Sequence, residues 1–259
     1  MISIVIPAYN EEKRIGKILE NYGLFFEGKK KQKEIEDFEL LVVINNTKDK
    51  TEEVVRNFAK KYPEIKYLNF KQGGKGFAII EGFKDALKRE NKLIGFVDGD
   101  MSTPPEAFYD LILKIKNYDG IIADRWDKKS MITPKQSLFR RFISRGYNFL
   151  VRSLFLFSYR DTQCGAKLFR REILEKNINK IVTSNWGFDI ALLYCLKKES
   201  HARVKSVPTT WHDEVGSHIN LKKTPLMMFA SSIRLRLIHS PFNFLVKFYR
   251  KLPDKIKIH

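Results

Sequence analysis

The first half of the chain alternates short apolar segments with stretches of helical periodicity, and this alternation constrains the fold most. The apolar segments are continuous, which is typical of strands buried on both faces of a parallel sheet. The sequence therefore predicts an α/β fold, Rossmann-like, with a mostly parallel sheet and helices on both faces. Strands are predicted at Ile2–Ile6, Glu39–Ile44, Ile65–Phe70, Leu93–Val97 and Gly120–Ala123, and helices at Glu11–Phe26 (N-capped by Asn10), Thr51–Lys60, Gly76–Lys88 and Pro104–Lys116.

The second half follows a different pattern. A helix is predicted over Pro134–Phe157, extended chain at 161–170 and 203–211, and a helix at 186–198. From Thr224 onward we expect two helices, separated at Pro241. The interpretation is a main domain over residues 1–221, containing an interfacial helix at 134–157, followed by basic amphipathic helices over 222–259.

Composition excludes several classes of protein. An apolar fraction of 43% is too high for a disordered chain, and two cysteines cannot form a disulfide framework. No apolar run reaches the roughly 18 residues of a membrane span. Met1 leads directly into a strand pattern without a basic segment or a cleavage site, so we expect no secretory leader.

Positive charge is concentrated in two segments that are also rich in apolar residues. The formal net charge is +18; residues 137–171 hold eight basic residues and one acidic residue, and residues 222–259 hold nine and one. Basic residues interleaved with apolar ones are typical of a surface that meets anionic lipid or a phosphate-bearing substrate. Nucleic acid also attracts basic surfaces, so a nucleic-acid-binding protein without catalysis stays open as an alternative.

The carboxyl ends of parallel strands are where such sheets bind ligands, and two acids stand at one of them. Asp98-Gly99-Asp100 follows the predicted strand Leu93–Val97. Two buried carboxylates without a counter-charge would be costly, whereas together they can hold one divalent cation. Their hard oxygen ligands favour Mg²⁺ or Mn²⁺ bridging a substrate diphosphate. An ordinary Asp-Gly turn is the structural alternative.

Other strand ends carry further candidates for substrate binding. Tyr9 and Glu11, in the loop after the first strand, suit a base and a ribose, although a plain helix start explains them equally well. Gly73-Gly74-Lys75-Gly76 opens a helix with backbone donors and one cation, and an ordinary glycine turn is nearly as good an explanation. Arg125, Arg140, Arg141 and Arg145 suit phosphate oxygens. Asp161 and Asp189 each stand among apolar residues, where either one can orient substrate, act as a base, cap a turn or pair with an arginine.

The order of these motifs resembles that of inverting nucleotide-sugar glycosyltransferases of family 2, which have the GT-A fold. The residues that carry the resemblance are Val5 to Glu12, Gly74-Lys75-Gly76 and Asp98-Gly99-Asp100. Three later blocks are similar to the dolichyl-phosphate β-glucosyltransferases within that family, and less similar to the related dolichyl-phosphate mannose synthases. These blocks are Arg160 to Phe169, Trp186 to Tyr194, and Trp211 with Gly216-Ser217-His218.

The resemblance implies an enzyme that transfers a hexose, in first place glucose from UDP-glucose, to a polyprenyl (dolichyl) phosphate at the cytoplasmic face of a membrane. It implies Mg²⁺ or Mn²⁺ at Asp98 and Asp100, peripheral association with an anionic membrane surface, and no nucleic-acid partner. Catalytic roles are expected for Asp98, Asp100, Arg125, Arg140, Asp161 and Asp189, and acceptor-phosphate binding for Arg125, Arg140, Arg141 and Ser144. Donor binding is expected for Pro7, Tyr9, Glu11, Asn45, Lys75, Asp98, Gly99, Asp100, Ser217 and His218.

The sequence also departs from the family pattern. Ile44-Asn45-Asn46 stands where two aspartates and a glycine are usual, so the base and ribose contacts must differ and a GDP-mannose donor stays open. His218 replaces a usual lysine, and Ala191 replaces an expected glutamate. A degenerate relative without catalysis is the remaining alternative, against which the presence of both Asp98 and Asp100 argues.

Overall fold

The computed structural model describes residues 1–134, 138–181, 187–212, 223–241 and 243–244. Its strands are β1 (Ile2–Ala8), β2 (Phe38–Asn45), β3 (Ile65–Phe70), β4 (Leu93–Val97), β5 (Gly120–Asp124), β6 (Met131–Thr133), β7 (Ala166–Arg170), β8 (Val204–Pro208) and β9 (Thr210–His212). Its helices are α1 (Ile15–Lys31), α2 (Thr51–Lys61), α3 (Lys75–Ala86), α4 (Pro105–Lys114), α5 (Leu138–Phe155), α6 (Arg171–Asn177), α7 (Phe188–Ser200) and α8 (Lys223–Ile238).

Seven strands form one sheet in the order β3-β2-β1-β4-β7-β5-β8, and β6 and β9 form a small parallel pair. The pairs β1–β2, β2–β3, β1–β4 and β5–β8 are parallel, whereas β7 is antiparallel to both β4 and β5. The predicted mostly parallel α/β sheet is thus confirmed. The antiparallel direction of β7 brings the loop before it, residues 161–165, to the edge where β4 and β5 end.

The two faces of the sheet are covered by separate apolar layers. Along β1 and β2, side chains alternate between the layers, as the two-residue period of a strand requires. Ile4 and Val42 belong to the layer under α1, α2 and α4, whereas Val5 and Val43 belong to the layer under α3, α5, α6 and α7. This double coverage is why the strands read as continuous apolar runs.

Several predicted boundaries were wrong. α1 begins at Ile15 instead of Glu11, and Asn10 is not its N-cap, because Asn10 has a φ of 54° and its side-chain oxygen accepts the Lys48 backbone N–H. The helix predicted from Pro134 begins at Leu138, after strand β6, which was not predicted. The short helix α6 was also not predicted. The second C-terminal helix, after Pro241, lies mostly outside the described residues.

In the described parts of the chain, no helix combines the length and the apolar character that crossing a bilayer requires.

Candidate functional site

The carboxyl ends of β1, β2, β4 and β5, the loop after β3 and the loop before β7 meet at one edge of the sheet. This placement brings together Pro7, Tyr9, Glu11, Asn45, Lys75, Asp98, Gly99, Asp100, Arg125 and Asp161, all of which the sequence predicted as site residues. Asp189, in the first turn of α7, joins them through Lys75, whose pKa it raises. The predicted residues of the first half of the chain thus form one site.

Asp98 is held tightly by its surroundings. Its backbone N–H donates to the Gly165 carbonyl at 3.0 Å, and its Oδ1 lies 2.5 Å from Lys75 Nζ. A Cβ atom on Gly165 would lie 1.9 Å from Asp98 Oδ2. The Asp98 carboxylate therefore occupies the space that any side chain at position 165 would fill.

The next two residues of this loop are also closely packed. A Cβ atom on Gly99 would lie 2.5 Å from the Pro7 carbonyl oxygen, so the loop after β4 fits directly against the end of β1. Asp100 Oδ1 accepts the Ser102 backbone N–H at 3.0 Å. These contacts leave room at position 99 for glycine alone.

The acids at this edge repel one another. Burial, and then the charge of Asp98, raise the pKa of Asp100. Burial also raises the pKa of Glu11, and the charge of Asp100 adds to this increase. Arg14 lowers the pKa of Glu11 through two hydrogen bonds of 2.6 and 2.9 Å, but the net shift is upward. Burial lowers the pKa of Lys75, but the carboxylates of Asp98 and Asp189 outweigh it, so the pKa is raised and the lysine stays charged.

Arg125 and Asp161 form a buried ion pair next to these acids. Arg125 Nε and Nη2 lie 2.6 and 3.0 Å from the two oxygens of Asp161, whose side chain is fully buried. Although burial raises the pKa of Asp161, the Arg125 guanidinium brings it below the usual value. Arg125 also lies over the Trp211 ring, 4.9 Å from its centroid. Of the roles that the sequence left open for Asp161, two are observed: it pairs with an arginine, and it caps a turn by accepting the Gln163 backbone N–H at 3.1 Å.

A second buried pair joins β7 to α7. Lys167 Nζ lies 2.5 Å from Asp189 Oδ1 and donates to the Cys164 carbonyl at 2.6 Å. Lys167 is completely buried beside the Phe96 ring. The charge of Asp189 is therefore balanced by Lys167, as that of Asp161 is balanced by Arg125, and Asp189 is not a free carboxylate.

Asn45 connects three chain segments at the edge of the sheet. Its Nδ2 donates to the Ala8 carbonyl at 3.0 Å, and its Oδ1 accepts the Gly74 backbone N–H at 3.0 Å. The amide keeps one further N–H and one lone pair. Tyr9, at the end of β1, is 52% exposed, so its ring is open to a ligand.

Some predicted site residues have no described side chains. Ser217 and His218 lie outside the described residues, and so do the side chains of Arg140 and Arg141, although both belong to α5. Ser144 is half-buried on α5, where its carbonyl accepts the Asn148 amide. The contributions of these five residues to acceptor and donor binding stay predictions, as do the binding and catalytic roles of the other site residues.

Three residues of the site belong to blocks that the sequence analysis named, but no site role was predicted for them. Gly165 limits the position of Asp98, Lys167 neutralises Asp189, and Trp211 covers Arg125. A lysine inside the apolar strand β7 was the available signal for Lys167, since a buried amine requires a partner. Gly165 and Trp211 are recognised only once β7 and β9 are placed next to the strands that end here.

Comparison with known proteins assigns this arrangement to a family. The chain is 30% identical over 246 residues to a dolichyl-phosphate beta-glucosyltransferase of Trichomonas vaginalis, covering 92% of this chain and 73% of that protein. A second one from that organism is 32% identical, but this chain spans only 64% of its length. The human dolichyl-phosphate beta-glucosyltransferase is 28% identical, with 84% of this chain and 69% of that protein covered.

Solved structures share the fold at low sequence identity. A glucosyl-3-phosphoglycerate synthase from Mycobacterium tuberculosis, solved with UDP, gives a TM-score of 0.62 at 17% identity and covers 92% of this chain and 79% of that one. A mannosyl-3-phosphoglycerate synthase from Rubrobacter xylanophilus gives 0.66 at 15% identity, with 100% and 80% covered. The predicted GT-A fold is confirmed. Since the model of the glycosyl transferase family 2 matches residues 3–178, the chain belongs to that family.

Proposed function

We propose that this family 2 glycosyltransferase transfers glucose, with inversion, from UDP-glucose to the phosphate of a dolichyl or other polyprenyl phosphate. An oxygen of the acceptor phosphate forms the new bond to the anomeric carbon of the sugar. The bond from that carbon to the nucleoside diphosphate breaks, and UDP leaves with the electron pair. The names of the similar proteins support this choice of donor and acceptor.

The observation that carries the proposal is that neither of the two acids that the sequence offered as a possible base is a free carboxylate in the structure. Asp161 and Asp189, the two candidates, are each paired with a buried or largely buried cation. Hydrolysis or transfer to a hydroxyl group requires a base, whereas a phosphate monoester is already ionised near neutral pH. Positioning of the two anions and stabilisation of the leaving diphosphate are then what the protein must supply.

Asp98 and Asp100 fit a divalent cation. In the described part of the chain, no group of three or more acidic, histidine or cysteine side chains could hold a metal by itself. A complete set of protein ligands is not required, because Mg²⁺ is commonly bound by one or two carboxylates, with substrate phosphates and water as its other ligands. The raised pKa of Asp100 marks negative charge that a cation would offset. When bound, Mg²⁺ or Mn²⁺ would neutralise charge on the diphosphate leaving group.

The cations of the site have two proposed roles. Lys75, charged and at the start of α3, would bind the donor diphosphate with Ser217 and His218. Arg125 keeps N–H donors beyond those given to Asp161, and with Arg140, Arg141 and Ser144 it would bind the acceptor phosphate. Pro7, Tyr9, Glu11, Asn45 and Gly99 would form the nucleoside end of the site.

We further propose that the enzyme associates peripherally with the cytoplasmic face of a membrane, where its lipid acceptor is located. Five of the nine exposed large hydrophobic side chains in the described chain lie on or next to α5 and α8: Phe149, Leu156, Phe229, Ile233 and Phe244. Tyr147 and Ser232 join these two helices by a hydrogen bond at 2.9 Å. Such basic helices with exposed apolar residues suit an interface.

The test is transfer from radiolabelled UDP-glucose or GDP-mannose to dolichyl phosphate, with Mg²⁺ or Mn²⁺ and after chelation. We expect a β-linked lipid-phosphate glucose from UDP-glucose and no product without metal. Asp100→Asn should abolish transfer, and Asp110→Asn, which removes an exposed acid paired with Lys114, should not. Transfer from GDP-mannose alone would show that GDP-mannose, and not UDP-glucose, is the donor. Absence of transfer from both donors, or full activity of Asp100→Asn, would refute the proposal.

A further inference from the structure

A cavity of about 300 Å³ beside α5 is lined by three arginines and no acid. Its lining residues are Trp126, Arg145, Asn148, Phe149, Arg152 and Arg160. The three arginines are exposed, and none forms an ion pair with a carboxylate among the residues that the structure describes. Guanidinium groups without an ion-pair partner around one cavity form a site for an anion with several oxygens, although the Asp124 carboxylate is close enough to interact with the charge of Arg160.

The polar atoms of the cavity wall favour the same kind of ligand. The Arg145 guanidinium lies 5.4 Å from the centre of the Trp126 ring, which fixes its direction. The indole N–H of Trp126 is buried and has no acceptor within the described ranges. Asn148 is already bonded to Ser144 and Thr162, so it shapes the wall and keeps the cavity rigid.

The surroundings of the cavity identify where the anion comes from. Arg145, Phe149 and Arg152 are spaced by four and three residues, so they follow one side of α5, and Leu156 is the first residue after the helix. Phe149 is 71% and Leu156 78% exposed, and both are apolar. Alternating cations and exposed apolar side chains match the boundary between phosphate headgroups and acyl chains. An aliphatic Leu156 has no equivalent use in binding nucleic acid, which stacks bases on aromatic rings.

The cavity is distinct from the proposed acceptor site. Among the described residues, Arg125 and Ser144 belong to that acceptor set, and neither lines the cavity. Arg125 is directed to Asp161 and Trp211 instead. Arg125, near the acids of the transfer site, is thus separate from the three arginines of the cavity, of which Arg145 and Arg152 lie on α5 and Arg160 follows it.

We infer that this cavity binds the phosphodiester headgroup of an anionic bilayer lipid and so fixes α5 at the membrane surface. The inference rests on the peripheral membrane association proposed above, but not on the sugar transfer. It assigns Arg145, Arg152 and Arg160 to a lipid that is not consumed in the reaction.

The first test is flotation of the protein with vesicles of phosphatidylcholine, with and without phosphatidylglycerol. We expect binding that requires phosphatidylglycerol and weakens with salt. The triple variant Arg145→Gln/Arg152→Gln/Arg160→Gln should partition on the order of a hundredfold less, since each basic residue near an anionic surface contributes about fivefold. The control Arg56→Gln/Lys60→Gln/Lys61→Gln removes the same charge from exposed positions of α2 and should keep most of the binding.

A second measurement separates the lipid site from the acceptor site. With a short, water-soluble isoprenyl phosphate and no vesicles, the double variant Arg152→Gln/Arg160→Gln, which keeps the substrate-binding candidate Arg145, should retain wild-type turnover. Loss of that turnover would assign the cavity to the acceptor phosphate and overturn the inference, as would vesicle binding equal to that of the wild type. Absence of transfer by the wild type itself would refute the proposed function and leave the flotation result standing.

A third measurement uses the wild-type protein, so its result does not depend on whether a variant folds. Phenylglyoxal labels exposed arginines, and peptide mass spectrometry locates the label. Phosphatidylglycerol vesicles should protect Arg145, Arg152 and Arg160 on the wild-type protein, and should not protect Arg56. Equal labelling of all four with and without these vesicles, or protection by duplex DNA in their place, would contradict lipid binding at the cavity.

Discussion

Replacing Gly165 by alanine should displace the Asp98 carboxylate while leaving the fold intact. The new methyl carbon would lie 1.9 Å from Asp98 Oδ2, so the carboxylate must retreat by about 1.5 Å to reach the ordinary contact distance of 3.4 Å. The Asp98 backbone cannot follow freely, because its N–H is bonded to the Gly165 carbonyl. The side chain must therefore rotate, and its ion pair with Lys75 is broken or stretched.

The displacement sets the expected loss of activity. A misplacement of about 1 Å at a reacting group costs roughly a hundredfold in rate. We expect kcat/KM for UDP-glucose to fall about a hundredfold, which corresponds to about 2.7 kcal/mol of lost transition-state stabilisation. The melting temperature should change little, since alanine is compatible with the backbone at position 165, where φ is not positive.

The assay compares initial rates of transfer, melting temperature and Mn²⁺ affinity for Gly165→Ala and a matched control. Gly23→Ala in α1 places the same methyl group where no atom lies within 4 Å. It should leave activity unchanged and add about 0.5–1 kcal/mol of stability through helix propensity. A Gly165→Ala enzyme that folds normally and works within a few-fold of the wild type would refute the reasoning.

Three further substitutions test the charges of the site. Asp161→Asn should lower the free energy of unfolding by about 3–5 kcal/mol in urea titrations, because it leaves Arg125 buried without a counter-charge. Since Arg125 holds the pKa of Asp161 low, the contribution of the pair is present above the unfolded pKa near 3.9 and is lost as pH falls through the folded value. The stability gap between variant and wild type should therefore narrow in acid, and a gap independent of pH would contradict the pairing. Asp100→Asn, besides abolishing transfer, should raise the melting temperature by about 2–4 °C, the equivalent of about 1 kcal/mol, because it removes a carboxylate whose raised pKa shows that its charged form is disfavoured. Calorimetry checks this increase, which should become smaller as pH falls, because Asp100 of the wild type then becomes protonated and uncharged. A lower melting temperature of Asp100→Asn would contradict the destabilising effect of this charge. Lys167→Met should lower the free energy of unfolding by about 3–5 kcal/mol, because it leaves Asp189 without its cation. The double variant Lys167→Met/Asp189→Leu should recover most of that loss. If chemical denaturation gave the same loss for the single and the double variant, the unpaired charge of Asp189 would not be its cause.

The parallel part of the sheet was predictable from the sequence because its signals are local. Strands such as β1 and β4 are continuous apolar runs, and the rule that ligands bind where such strands end selected Asp98 and Asp100. The start of α1 was not predictable in this way. Asn10 has the composition of an N-cap, but its side chain is bonded to the Lys48 backbone, which is distant in sequence.

The antiparallel strand β7 explains most of what sequence reasoning missed. Nothing local shows that Ala166–Arg170 enters the sheet between β4 and β5, because that pairing depends on chain segments that are far away in sequence. Once the strand is placed, Gly165 lies against Asp98 and Asp161 lies against Arg125. The sequence showed Asp161 among apolar residues, but it could not decide between a base and a partner for arginine.

Counting charges at the edge of the sheet identifies the acid on which the proposed chemistry depends. Four acids there are each joined to a cation of the protein itself: Glu11 to Arg14, Asp98 to Lys75, Asp161 to Arg125, and Asp189 to Lys167. Asp100 and Asp124, at the end of β5, are the exceptions, since no cation among the described residues lies within ion-pair distance of either and burial raises the pKa of both. Of these two, Asp100 is the one whose pKa is also raised by the metal-ligand candidate Asp98. The Ser102 backbone N–H donates a hydrogen bond to Asp100, and burial with Asp98 nearby disfavours its charge. A half-buried carboxylate that is close to another and has no cation of its own is a stability cost that folding alone does not require. A divalent cation shared with a substrate diphosphate would remove that cost, which is why one substitution at position 100 is expected to abolish transfer and to stabilise the protein.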